Sequence, residues 1–92
     1  MAQLEVNLVS ATQTVWSGAA TMVVAPAADG EIGVLAGHVP VLSVLRAGSV
    51  RIRTVEGADV QADVDGGFLS VDSDVVTIVA DSVTVATGAA TR

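Results

Sequence analysis

Gly48-Ser49-Val50-Arg51-Ile52-Arg53-Thr54-Val55-Glu56-Gly57-Ala58-Asp59-Val60-Gln61-Ala62-Asp63-Val64-Asp65 reads as two strands and a turn. Val50, Ile52 and Thr54 alternate with Arg51, Arg53 and Val55. After Glu56-Gly57, Val60, Ala62 and Val64 alternate with Asp59, Gln61, Asp63 and Asp65. Successive side chains of a strand point to opposite faces, so each run has an apolar side and a polar side. The pair predicts a β-hairpin that covers a core with one face and meets water with the other.

The same grammar holds on either side of this hairpin. Upstream, Leu4, Val6 and Leu8 alternate with Glu5 and Asn7, and Thr14 to Ser17 is a short extended piece closed by Gly18. Ala20 to Pro26 reads as a third strand, with Pro26 expected at a sheet edge, where a missing N–H costs nothing. Asp29-Gly30 is a turn signal. Gly33 to Leu45 is apolar but broken by Gly37 and Pro40, so it predicts irregular backbone or short strands. Gly48 is expected to begin the following element. Downstream, Gly66-Gly67 is expected to turn the chain. Phe68 to Val71 and Val75 to Ala80 flank a hairpin loop at Asp72-Ser73-Asp74, and Val83 and Val85 end a last short strand. No segment keeps a helical period over three turns. The expectation is an all-β protein, a flattened antiparallel β-sandwich of about ten short strands. The domain is expected to span residues 4–86, followed by a short mobile tail at 87–92.

Composition narrows the function. The 92 residues suit one small domain, whose core draws on a sequence that is 51% hydrophobic and rich in valine, with only Trp16 and Phe68 as aromatics. Four arginines and no lysine stand against ten carboxylates, a net charge of −6. That balance repels phosphate backbones and anionic lipid, which argues against nucleic acid and against direct membrane insertion. There is no cysteine to build a disulfide scaffold or thiolate metal site. Residues 6–28 carry no charge, yet polar residues interrupt them throughout, so they do not form a membrane span. The amino terminus lacks the basic start of a signal peptide, and the expected compartment is the cytoplasm.

Chemistry is sparse. His38 is the single histidine and has no neighbouring residue to orient it as a base. No serine sits in a Gly-x-Ser-x-Gly elbow. Gly30, Gly33 and Gly37 fit neither dinucleotide nor P-loop spacing. Asp63, Asp65, Asp72 and Asp74 lack the ligand spacing of a calcium loop and fit ordinary turn chemistry. No metal or cofactor is expected. What stands out is surplus apolar sequence. Met22 to Ala25, Val39 to Leu45 and Val75 to Ala80 offer more hydrophobic surface than one small core absorbs, which points to a face covered by a partner.

One segment is more specific. Asp29-Gly30-Glu31-Ile32-Gly33-Val34-Leu35-Ala36-Gly37-His38-Val39-Pro40-Val41-Leu42 resembles the signature of the epsilon subunit of F-type ATP synthases. Gly48 to Ile52, Gly67 to Val71 and Val75 to Asp81 resemble its later strands in the same order. Ala36 departs from the proline usual there. The resemblance implies a non-catalytic rotor subunit at the foot of the central stalk, peripheral on the cytoplasmic face of a bacterial membrane. It would clamp the gamma subunit to the c-ring, couple proton flow to ATP synthesis, and touch the alpha/beta hexamer only indirectly. It further implies that Asp29, Gly30 and Glu31 meet the c-ring loops, while His38, Pro40, Val41, Leu42 and Ser43 lie along gamma. Most family members continue into a C-terminal pair of helices, which in several bacterial relatives can inhibit hydrolysis or bind ATP. No residue here matches those sites, so neither property is carried over. Rival readings are a small-ligand or protein-binding sandwich unrelated to ATP synthase, and a small hydrolase built on His38 and a serine.

Overall fold

Each alternating run becomes a strand in the computed structural model, which describes residues 3–87. In chain order they are β1 (Leu4–Val9), β2 (Thr14–Ala27), β3 (Gly30–Leu35), β4 (Val41–Thr54), β5 (Asp59–Asp72), β6 (Val75–Val79) and β7 (Val83–Thr87). There is no helix among the described residues, and hence none long and apolar enough to cross a membrane. Residues 88–92 of the expected tail lie outside the described residues.

Seven strands replace the expected ten because β2, β4 and β5 are each 14 residues long and serve both layers. One layer holds β3, the second half of β2, the second half of β4, the first half of β5, and β7. The other holds the first half of β2, then β1, β6, the second half of β5 and the first half of β4. Gly48 and Gly66-Gly67, expected to separate elements, lie inside β4 and β5.

Pairing closes a ring, β1–β6–β5–β4–β2–β1. Its five members force one exception to the antiparallel expectation. Strand direction must reverse at every antiparallel pair, and an odd number of reversals cannot return to the start. The exception is β1–β6, paired in parallel from Glu5↔Val75 to Val9↔Val79.

The interior is aliphatic. Leu4, Val6, Leu8, Val71, Val76 and Ile78 of one layer meet Val23, Val34, Val50, Ile52, Ala62 and Val64 of the other. No polar or charged side chain is buried among the described residues. Burying one such Leu, Ile or Val contributes about 1.5–3 kcal/mol. Pro26 is buried inside β2 rather than at an edge. It falls where the β2–β4 register slips between Val24 and Ala27, so its missing N–H interrupts no ladder. Gly48 admits its ring: a Cβ there would stand 3.1 Å from the Pro26 Cγ.

The bend that carries β5 between layers needs its two glycines. Gly66 and Gly67 have φ of 124° and 121°, and a Cβ on Gly67 would overlap the Val79 carbonyl oxygen. Gly33 has open space around the same position. Gly67→Ala is therefore expected to destabilise the fold by about 3 kcal/mol or more. Gly33→Ala should stay within about 0.5 kcal/mol. Denaturant unfolding of the two variants checks both.

Candidate interaction surfaces

The outward side chains of the β1/β6 layer fall into cross-strand rows. Val44 lies opposite Phe68, Phe68 opposite Val79, and Val79 opposite Val9. This row is apolar across four strands. Val44 is 56% exposed, Phe68 51% and Val79 41%. The adjacent row runs Leu42, Ser70, Thr77, Asn7 and Ser17, of which Leu42 is 72% exposed. Ser17 Oγ donates to Asn7 Oδ1 at 2.9 Å, so the far end of that row is tied to itself. An apolar row bordered by small neutral polar groups is a candidate protein contact.

The opposite layer is different outside. Met22 faces Arg53 and Val24 faces Arg51 across β2 and β4. Arg53 in turn pairs Asp59 at 3.4 Å, with both side chains more than half exposed. Such a pair stabilises by less than about 1 kcal/mol. Arg51 and Arg53 make this face a charged one.

The expected ring-facing residues sit together. Ala28 and Asp29 form the turn between β2 and β3, Gly30 follows with φ of 139°, and Asp29 and Glu31 are exposed. Two bonds hold the turn to β4: Ala28 N–H donates to Val44 O at 2.9 Å, and Arg46 Nε–H donates to Ala27 O at 2.9 Å.

The expected gamma-facing residues do not share one face. Pro40 and Leu42 are exposed. Val41 packs partly against the core, and Ser43, opposite buried Leu69, shares its inward parity. His38 is half-buried in the turn between β3 and β4. Its Nδ1–H donates to the Val39 carbonyl at 2.7 Å, which leaves Nε2 free. Asp74 Oδ1 accepts the Gly37 N–H at 2.7 Å and so anchors this turn to the β5–β6 hairpin. The aspartates there shape turns: Ser73 and Asp74 have φ of 52° and 64°, the backbone of a tight two-residue hairpin. No three His, Cys, Asp or Glu side chains group as metal ligands among the described residues.

The two expected sites lie at opposite ends of β3. Its six residues separate the acidic turn from the His38 turn by roughly 20 Å. The sequence marks Val44 and Val79 as parts of surplus apolar segments but does not place them, with Phe68, in one exposed row. Their shared row exists only once the β4–β5–β6 register is known.

An all-β scaffold with an exposed apolar row on one layer and a separate acidic turn fits a protein-interaction module. Residues 3–86 match the model of the ATP synthase delta/epsilon chain β-sandwich domain. The chain is 51% identical to the ATP synthase epsilon chain of Micrococcus luteus over 82 residues, 89% of this chain and 90% of that one. It is 51% identical to the epsilon chain of Streptomyces griseus over 80 residues, 87% of this chain but 64% of the relative. Among solved structures, a chain of the Euglena gracilis mitochondrial ATP synthase OSCP/F1/c-ring assembly superposes with a TM-score of 0.86. That likeness is at 25% identity and covers 92% of this chain and 54% of that one. The protein belongs to the ATP synthase delta/epsilon chain family.

Parity along β4 generates a test of the surface. Leu42→Asp is expected to fold with near-native stability, within about 0.5 kcal/mol. Val41→Asp places a carboxylate toward the core and should lose at least about 2 kcal/mol. Thermal unfolding of both variants decides it.

Proposed function

We propose that this chain clamps the central shaft of an ATP synthase to its rotating ring. Family membership makes it a component of the central stalk. The proposed clamp works through two surfaces. The row Val44–Phe68–Val79, extended by Leu42, lies along gamma, and the turn Asp29-Gly30-Glu31 meets the c-ring loops. The observation that carries the reading is the contrast between the two layers. One presents a neutral apolar row and the other a charged face.

The physics suits the task. Apolar surfaces of matched shape resist sliding because any displacement re-exposes area to water. Charge at the turn adds little affinity but fixes orientation. Rotation of the ring would pass through the stiff barrel to gamma, and only through gamma to the catalytic alpha/beta hexamer. The chain itself makes and breaks no covalent bond in this role. It would sit peripherally at the cytoplasmic face of the membrane. His38 Nε2 is placed to accept or donate a hydrogen bond beside Pro40 and Leu42.

A ligand-binding module has weaker support. Two clefts among the described residues hold about 200 and 50 Å³. Drug-sized ligands occupy about 300–1,000 Å³. The hydrolase reading needs a serine hydroxyl on His38 Nε2, and the ring bond seen among the described residues joins Nδ1 to the Val39 carbonyl, not to a serine.

Leu42→Asp should reduce capture of purified gamma by tenfold or more, about 1.4 kcal/mol or greater. Glu31→Lys should leave gamma capture intact while lowering co-purification of the ring and proton-coupled ATP synthesis. Full gamma capture by Leu42→Asp would remove the row from the shaft contact. Unchanged coupling in Glu31→Lys would remove the turn from the ring contact.

A further inference from the structure

The apolar row does not end at the edge of its layer. Where β5 bends at Gly66-Gly67, a cleft of about 200 Å³ opens, and Phe68 and Val79 line it as they line the row. The lip of the cleft carries Asp65 and Asp81, both exposed. Asp65 Oδ1 accepts the Ser82 N–H at 3.1 Å, which fixes its carboxylate on the lip and leaves the second oxygen open. The ion pair found is Arg53–Asp59, on the other layer, so no arginine among the described residues pairs either lip carboxylate within 4.0 Å. The cleft also lies at the acidic end of the molecule. Gly67 is opposite Leu45, and Leu45 is opposite Ala27 beside the Asp29 turn.

We infer that the neighbour covering the apolar row seats a lysine or arginine side chain in this cleft. Its aliphatic stem would run over Phe68 and Val79, and its charged head would lie between Asp65 and Asp81. The chemistry fits both parts. Lys and Arg bury their methylene stems on apolar surface and keep the cationic head near water or a counter-charge. The two carboxylates supply that counter-charge, and the glycines leave room because neither carries a side chain. A continuous apolar surface ending in an uncompensated acidic lip specifies a partner segment of apolar residues followed by a basic one. The two aspartates would then set where along the row that segment stops, since a sliding apolar contact has no register of its own.

This inference rests on the reading of the row as the gamma contact, and the experiment separates the two. The full chain, the double variant Asp65→Asn/Asp81→Asn, and Phe68→Asp are each titrated with purified gamma at low and high salt. Asparagine keeps an oxygen for the Ser82 N–H, so the fold is retained, which the unfolding midpoint verifies. The double variant is expected to bind about tenfold more weakly at low salt and to lose most of the native salt dependence. Phe68→Asp should bind weakly at both salts. If the native chain fails to bind gamma, the shaft reading falls and the inference with it. If the native chain binds and the double variant matches it at both salts, the cleft inference alone is overturned.

Discussion

Three strands must each serve two layers, and the point where β5 crosses makes that possible. Gly66 and Gly67 take backbone conformations that side-chain-bearing residues rarely adopt, and the approach to the Val79 carbonyl excludes even a methyl group. With that bend, residues 59–65 line one layer and residues 67–72 the other. The ring of pairing then closes through β1, held antiparallel to β2 and parallel to β6. Closure leaves little room for the layers to shear. The core that fills the space is made of branched and small aliphatic groups with few rotamers, which adds to the stiffness.

Surface chemistry follows from the same bend. Residues 59 to 65 of β5 alternate aspartate or glutamine with a buried aliphatic residue. After the bend, Phe68 and Ser70 take the outward places that Asp63 and Asp65 held before it. One continuous strand thus shows an acidic and polar series on one layer and, on the other, Phe68 and Ser70 before the closing Asp72. β4 does likewise, with Leu42 and Val44 outside before its crossing and Arg51 and Arg53 outside after it. The two faces of a small barrel are thereby given different partners without any added element. The cleft at the β5 bend is where they adjoin.

Much of this could be read from residues in order. The alternation at 4–8, 50–54 and 60–64 identified strands and their inner faces, because a period of two is a local property. Turn chemistry at Asp29-Gly30, Glu56-Gly57 and Asp72-Ser73-Asp74 fell where the chain does reverse. Gly48 and Gly66-Gly67 misled, since glycine marks a bend inside a long strand as readily as a turn between short ones. The parallel β1–β6 pair was invisible, being a consequence of closure and not of either strand. The candidate surfaces divided in the same way. The acidic turn is local, so the sequence alone places Asp29, Gly30 and Glu31 side by side. The apolar face is assembled from β4, β5 and β6, so its segments were visible as surplus apolar sequence while the row joining Val44, Phe68 and Val79 was not. The resemblance assigned His38 to Ser43 as one run, and the alternation of β4 turns Val41 and Ser43 away from the face that Leu42 shares.

A stiff body that joins a shaft to a ring must bury its neutral face when the machine is assembled. Oxidative footprinting of Phe68 and Leu42, in the free chain and in the assembled ATP synthase, reads that burial directly at two side chains more than half exposed in the free protein. The account requires both to label readily when free and to be strongly protected on assembly. Equal labelling of both side chains in the two states would contradict it.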